Sequence, residues 1–266
     1  MSGPASGLDI GRDGAVLRIV LDRPERRNAL DDDMVHGLVG ALEDAGVSED
    51  VRVVHISGRG EHFCGGFDIV GRNAGSGRPR VGSIQRRLPH EAHRLIETVL
   101  RVQTPVVCEV RGWAVGIGLH LVLACDFAVV AEDARMWEPF VRRGFTPDSG
   151  GSWLLPRRIG EVRARRMLLL GEEVDGITAR EWQMVHDAVP EDRLEQATAE
   201  VVARLAEGPT VALGLTKWLL HSGSGSDLAA GLVHDALALE LSSRSTDFKE
   251  GLSALQEKRP PRFTGR

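Results

Sequence analysis

Asp148 is the residue whose position most directly suggests chemistry. It lies in the stretch PDSGG (147–151), between a proline and a Ser-Gly-Gly turn. A carboxylate placed beside a substrate can remove a proton and return it, which is general acid–base catalysis. Aspartate after proline is also favoured in turns, where its side chain commonly caps the N–H groups that follow. The sequence therefore leaves two roles open for Asp148, a proton-transferring base and a helix N-cap.

Two glycine-rich segments offer backbone N–H groups. The first is FCGGFDI (63–69), after a predicted strand at 51–58, and the second is GWAVGIGLHL (112–121), after a predicted strand at 105–110. Glycine permits a tight turn and a close approach to a ligand, and a helix that starts just beyond directs its first N–H groups into the turn. Two such groups aimed at one carbonyl oxygen would stabilise an enolate. Each turn alone is equally compatible with an ordinary strand-to-helix connection.

The elements that must carry these turns alternate between strand and helix. Apolar and β-branched runs predict strands and helical spacing predicts helices, in the order strand 15–24, helix 29–47, strand 51–60, strand 104–118, helix 119–126 and strand 127–133. This alternation predicts an α/β architecture with parallel strands. From about residue 190 the pattern becomes helical. We therefore predict an α/β core over 1–200 and a helical C-terminal region over 201–266. The polar, glycine-rich stretch 71–87 predicts a surface loop.

Composition excludes several classes of function. The chain has 266 residues and a net charge of −5, which argues against a nucleic-acid partner. The three cysteines match neither a disulfide framework nor a zinc pattern, and no HExxH-type motif is present, so we expect no metal. The first residues do not resemble a signal peptide, and no apolar run approaches the length of a membrane span. We expect a cytoplasmic protein with no membrane partner.

Five motifs in this order resemble the crotonase superfamily, also called the enoyl-CoA hydratase/isomerase family. They are LDRPERRNAL (21–30), the two glycine turns, TPDSGGSWLLPRRIG (146–160) and DFKEGLSALQEKRPPRF (247–263). The resemblance covers nearly the whole chain. It implies a spiral of ββα units with a helical C-terminal region that drives assembly into a homotrimer or a dimer of trimers. It also implies acyl-coenzyme A thioester substrates and no separate cofactor, because coenzyme A enters as part of the substrate.

The resemblance assigns site residues by motif position. The backbone N–H groups of Phe67 and Ile117 would hold the thioester oxygen. Expected contributors to substrate binding are Cys64, Gly65, Gly66, Asp68, Ile69, Gly116, Gly118 and Phe140. Basic and aromatic residues expected near coenzyme A are Arg26, Lys258 and Phe263, the last two often reaching a neighbouring subunit's site in relatives.

The chain departs from the hydratase pattern at two positions. Where family hydratases carry two glutamates, this sequence has His120 in GIGLHL and Phe140 in WEPF. Hydration normally uses one group to activate water and another to protonate carbon, and Phe140 can do neither. His120 is either a hydrogen-bonded core residue or a neutral imidazole that belongs to the site. Glu138 is either a recruited acid or a surface or ion-paired carboxylate.

The stretch around Asp148 instead looks like the ring-cleavage isomerase branch associated with aerobic phenylacetate degradation. In that branch the aspartate at this position is taken as a proton-handling group. One carboxylate is enough to move a double bond, because it can take a proton from one carbon and return it to another. The sequence thus favours an enoyl-CoA isomerase with Asp148 as base. A hydratase with an unusual acid–base set and a non-catalytic acyl-CoA-binding homologue are the alternatives.

Overall fold

A computed structural model describes residues 7–69, 71, 80–223 and 225–266 of the chain. Among these residues the strands are β1 (Leu8–Asp13), β2 (Val16–Leu21), β3 (Val53–Gly58), β4 (Val106–Val110), β5 (Trp113–Val115), β6 (Phe127–Ala131), β7 (Arg135–Trp137), β8 (Glu173–Asp175) and β9 (Asp187–Val189). The larger sheet has the order β1-β2-β3-β4-β6-β9. Only its β1–β2 pair is antiparallel, and the other pairs are parallel. The predicted α/β class with parallel strands is confirmed.

The helices of the described chain include those predicted at 29–47 and 119–126 and the helical pattern predicted from about residue 190. They are α1 (Asp32–Val47), α2 (Ser83–Arg87), α3 (Ala92–Arg101), α4 (Ile117–Ala124), α5 (Gly151–Leu170), α6 (Gly176–Glu181), α7 (Glu191–Ala206), α8 (Thr210–Gly223), α9 (Leu228–Ser242) and α10 (Thr246–Glu257). The predicted loop over 71–87 is wrong for its last five residues, which form α2; residues 72–79 of that loop lie outside the described residues.

The stretch 104–118, predicted as a strand that runs into glycines, contains two strands in two sheets. β4 lies in the large sheet, whereas β5 pairs with β7 in a three-stranded sheet of order β5-β7-β8. The chain turns between them at Gly112, which has a φ of +54°. A side chain there would collide with the carbonyl oxygen of Glu61. Because of this break, the second glycine turn does not continue β4. It lies beside the first glycine turn.

The core of the molecule surrounds α4. All eight residues of this helix are buried, whereas Ala238 is the only buried residue of α9. The predicted boundary at residue 200 lies inside α7, a continuous helix that packs against β3, β4 and β6. The described helices include none long and apolar enough to cross a membrane.

The end of the chain returns to the start of β3. The guanidinium of Arg52 donates to the hydroxyl of Thr210 at 2.9 Å, to the carbonyl of Gly208 and to the carbonyl of Phe263 at 3.5 Å. The carboxylate of Asp247 accepts from the backbone N–H groups of Thr264 and Gly265. These contacts fix the C-terminal residues against the α/β body.

Candidate active site

The two glycine turns lie side by side. The N–H of Cys64 donates to the carbonyl of Trp113 at 2.8 Å, and the N–H of Val115 donates to the carbonyl of Cys64 at 3.0 Å. A β-carbon added at Gly118 would lie 2.7 Å from the β-carbon of Cys64 and 2.8 Å from its carbonyl oxygen. Glycine is therefore required for this approach, and the turns that the sequence could only treat separately form one structure.

The backbone is held in place at both candidate oxyanion donors, Phe67 and Ile117. Phe67 forms an isolated parallel bridge with Leu30, made by the carbonyl of Gly66 and the N–H of Asp68 on either side of it. Ile117 is the first residue of α4, and the N–H groups of a helix's first turn have no acceptor within the helix. They also lie at the positive end of the helix dipole. Such groups suit a developing negative charge on a thioester oxygen.

The first turn is supported by the arginine-rich segment that precedes α1. The N–H of Gly65 donates to the carbonyl of Arg27 at 2.7 Å, which places the exposed Arg26 next to the turn. Asp68 accepts from the N–H of Gly71 and pairs with Arg23 at 3.2 Å. The hydrogen bond from Gly71, followed by the contact with Arg23, lowers the pKa of Asp68. This carboxylate is charged and holds the turn in shape.

The remaining predicted residues of the first turn differ in exposure. Cys64 is fully buried, and burial raises the pKa of its thiol to about 12, so the residue contributes backbone and packing instead of a thiolate. Ile69 is 37% exposed and extends from the same turn. A cavity of about 390 Å³ adjoins the turn, lined by Asp31, Asp32, Asp33, Phe67, Asp68 and Gly71. A larger cavity of about 580 Å³ lies elsewhere, between the α/β body and α8.

A row of four polar side chains runs from Asp148 into the core. The hydroxyl of Ser149 donates to Oδ1 of Asp148 at 3.0 Å and lies 2.6 Å from Nδ1 of His120. Nε2 of His120 lies 2.9 Å from Oε1 of Glu138. Asp148 is partly exposed, whereas the other three are buried, His120 completely. The structure thus joins Asp148, His120 and Glu138, which the sequence suggested separately, through a serine that it did not suggest.

Glu138 is the buried end of this row. Its side chain is 1% exposed, and its second oxygen, Oε2, has no hydrogen-bond partner among the described residues. Burial raises the pKa of Glu138, and the neighbouring His120 opposes this effect. The surface alternative for Glu138 is wrong, since the carboxyl group is paired in the core. His120, with both ring nitrogens engaged, is the hydrogen-bonded core residue and also part of the row.

Asp148 does not cap the helix that follows it. Helix α5 begins after Gly150, which has a φ of +93°, and no side chain caps it. The carboxylate of Asp148 accepts from Ser149 instead, and its backbone carbonyl accepts a hydrogen bond from Nε2 of His93 at 2.6 Å. The N-cap alternative is therefore wrong. His93, on α3, anchors the loop that carries Asp148, and no local sequence signal marks it.

Phe140 forms an apolar wall beside the second glycine turn. Its ring stacks on the imidazole of His120 with centroids 5.8 Å apart and an angle of 11° between the planes. The edge of the same ring would lie 3.3 Å from a β-carbon at Gly116. Phe145 packs on it at a right angle. Where the hydratase pattern has a glutamate, this chain therefore has a ring that shields His120.

The two C-terminal candidates lie away from these turns within one chain. Lys258 is exposed at the end of α10, and the backbone of Phe263 is tied to Arg52. Arg52 precedes β3, whereas the first glycine turn follows that strand, so the two lie at opposite ends of it. A contribution of Lys258 and Phe263 to a neighbouring subunit's site stays a prediction. Across residues 7–69, 71, 80–223 and 225–266, no three His, Cys, Asp or Glu side chains are grouped to hold a metal ion.

Comparison with known proteins decides the family. The model of the enoyl-CoA hydratase/isomerase family matches residues 11–266. The chain belongs to the enoyl-CoA hydratase/isomerase family. Its fold agrees, because the crystal structure of enoyl-CoA hydratase from Bacillus anthracis superposes with a TM-score of 0.91 at 29% identity, covering 98% of this chain and 100% of that one. The predicted crotonase-like fold with a helical C-terminal region is confirmed.

Two relatives of comparable identity carry the names of different reactions. A "Probable enoyl-CoA hydratase" of Rhodobacter capsulatus is 36% identical over 93% of this chain and 94% of its own. The 1,2-epoxyphenylacetyl-CoA isomerase of Escherichia coli is 33% identical over 94% of this chain and 95% of its own. The family membership makes this protein an enzyme of the hydratase/isomerase group. The choice between the two reactions has to be argued from the geometry of the site.

Proposed function

We propose that this enzyme shifts the double bond of an enoyl-CoA thioester, with Asp148 as the base. One observation carries the proposal. Asp148 is the partly exposed end of a polar row whose other carboxyl group, Glu138, is completely enclosed. The two positions that hold glutamates in family hydratases are filled by a buried imidazole and a phenyl ring. Within this row, Asp148 is therefore the one carboxylate left to meet the substrate.

The mechanism follows from that single carboxylate. The N–H groups of Phe67 and Ile117 hold the thioester oxygen and lower the cost of negative charge there. Asp148 takes a proton from the carbon at one end of a three-carbon unit. The electron pair of the broken C–H bond enters the conjugated dienolate. Asp148 then returns the proton to the carbon at the other end, so that the double bond moves and no atom is gained or lost.

Water has no part in this sequence of steps. Phe140 covers the imidazole and borders the second glycine turn, where a hydratase would need a group to activate water. The substrate class is acyl-CoA, and coenzyme A enters with it, so no separate cofactor is needed. Arg26, which is exposed beside the first turn, would meet a phosphate of coenzyme A. Assembly into a homotrimer or a dimer of trimers remains part of the proposal.

The test compares two substrates. We expect conversion of 3-enoyl-CoA to 2-enoyl-CoA, and a fall in kcat of about 10²- to 10⁴-fold in Asp148→Asn with little change in KM, because positioned acid–base groups contribute on that order. Brisk hydration of 2-enoyl-CoA that Asp148→Asn leaves undiminished would overturn the proposal in favour of a hydratase. Thermal stabilisation by CoA thioesters without turnover of either substrate would indicate a non-catalytic binding protein.

A further inference from the structure

We propose that Glu138, His120 and Ser149 are positioning residues that together keep Asp148 as the proton acceptor. When Glu138 keeps its proton and donates it to Nε2 of His120, Nδ1 carries a hydrogen and the hydroxyl of Ser149 points at Asp148. This inference rests on the proposed function, because the base that the row orients is Asp148.

The direction of the row follows from counting hydrogens. The hydroxyl of Ser149 has one hydrogen, which it donates to Oδ1 of Asp148 when Asp148 is ionised. The short contact between Oγ and Nδ1 of His120 must then be a donation from Nδ1, which therefore carries a hydrogen. The other contact, between Nε2 and Oε1 of Glu138, needs one more hydrogen. That hydrogen lies on the carboxyl group if the imidazole is neutral, and on Nε2 if the imidazole is charged.

The opposite direction is available with the same number of hydrogens. If the hydrogen of Ser149 moves to Asp148, that of Nδ1 to Ser149, and that of Glu138 to Nε2, the row is intact but reversed. The negative charge has then moved from Asp148 to Glu138. Asp148 is now protonated and cannot accept a proton from the substrate. The two carboxyl groups thus compete for one negative charge, and catalysis needs it on Asp148.

The surroundings of Glu138 decide this competition. Its Oε2 atom is buried without a hydrogen-bond partner among the described residues, so an ionised carboxylate there would be poorly solvated. Desolvation raises its pKa accordingly, and the nearby charge of Asp148 acts in the same direction. Phe140 covers the imidazole, and a β-carbon at Gly151 would collide with Nε2, so the row is closely enclosed. At the other end, Asp148 is partly exposed, so water can solvate a negative charge there.

Three substitutions separate this role from simple packing. Glu138→Gln keeps an N–H that can donate to Nε2, so kcat for 3-enoyl-CoA isomerisation should stay within about 3-fold of wild type. Glu138→Leu removes the donor and lets His120 change tautomer. Ser149→Ala removes the hydrogen bond to Asp148. Both should lower kcat about 10- to 100-fold with KM unchanged, as expected for loss of a hydrogen bond to a charged group. A folded Glu138→Gln protein that loses as much activity as Glu138→Leu would overturn the proposal.

Nitrogen-15 spectra of the histidine rings test the direction of the row without substrate. The His120 signals are identified by their absence in His120→Gln. We expect Nδ1 of His120 to carry a hydrogen in the wild type and in Glu138→Gln, and to lose it in Glu138→Leu. A wild-type ring protonated on Nε2 alone would overturn the proposal, whatever the variants do in kinetics.

The two readouts also separate this inference from the proposed function. Wild-type protein that does not isomerise 3-enoyl-CoA would refute the proposed function, while the Nδ1 signal would still decide whether the row has the proposed direction. Active wild-type protein with an unprotonated Nδ1 would leave the isomerase standing and refute the positioning role of Glu138.

Discussion

Helices α4 and α9 are both rich in leucine but lie in opposite surroundings. Every residue of α4 is buried, and the helix starts at the candidate donor Ile117 and carries His120 one turn later. Helix α9 buries only Ala238 and exposes Leu228, Leu232, Val233, Leu237, Leu239 and Leu241. The same composition therefore serves two purposes. Complete burial fixes the backbone that the site needs, and an exposed apolar face is what the predicted oligomerisation region requires.

Replacing one glycine in each helix by alanine should give the largest difference between α4 and α9. Gly118→Ala on α4 forces a β-carbon within 2.8 Å of the Cys64 backbone, so the first glycine turn must move. We expect a loss of about 100-fold or more in kcat/KM, since small displacements of positioning groups cost that much. A lower thermal midpoint should accompany it. Gly231→Ala on α9 is the matched control, because nothing lies within 4 Å of the added carbon.

The control should gain up to about 1 kcal/mol from the better helix propensity of alanine, with activity unchanged. Kinetics on 3-enoyl-CoA and thermal unfolding of both variants measure the contrast. Wild-type activity in Gly118→Ala would show that the two turns do not need their close contact.

Replacing a leucine in each of the two helices should affect their contributions to stability differently. Leu121→Ala opens space in the core and should lower the free energy of unfolding by about 2–5 kcal/mol. Leu232, which is 58% exposed, should cost about 0.5 kcal/mol or less when replaced by alanine in the isolated chain. Urea unfolding at low and high protein concentration measures both. If the loss in free energy of unfolding caused by Leu232→Ala grows with protein concentration, α9 is covered by a second copy of the chain in the assembled protein.

The smallest expected contrast is in pH dependence, where two glutamates act in opposite directions. Burial raises the pKa of Glu138, so the folded state holds its proton more tightly than the unfolded chain, and stability falls as pH rises above 4.5. Near the C-terminus, hydrogen bonds from Arg259 and the N–H of Arg262 lower the pKa of Glu250 to about 2. The stability that Glu250 contributes is present above pH 4.5 and is lost as the pH falls through about 2.

Matched glutamine variants separate these effects. The thermal midpoint of Glu138→Gln should rise relative to wild type as pH increases from about 4 to about 8, because the variant has no charge to bury. Glu250→Gln should differ from wild type most above pH 4.5, and the difference should shrink toward pH 2. Midpoint differences that stay constant with pH for Glu138→Gln would show that this carboxyl group has the same pKa in the folded and the unfolded chain.

The sequence anticipated the features that depend on local rules. Glycine spacing located both turns, the helical pattern predicted the helical region after residue 190, and the PDSGG stretch singled out Asp148. The contact of His120 with Glu138 could not be anticipated, because it depends on how the chain leaves β7 at Pro139 and on the rotation of α4. His93 likewise gave no signal, since it acts through the backbone carbonyl of Asp148. Contacts between distant segments thus escaped sequence patterns, whereas backbone requirements at single positions did not.

Phe140 also limits the order in which mutations can convert this site into that of a hydratase. A glutamate introduced in its place would lie against the same imidazole that already holds the buried Glu138. Two enclosed carboxyl groups around one ring would be costly, because an ionised carboxylate at position 140 would be buried without a cationic partner. The change at 140 is therefore better tolerated once Glu138 no longer occupies the same imidazole. An evolutionary path between the two activities is expected to change position 138 before position 140.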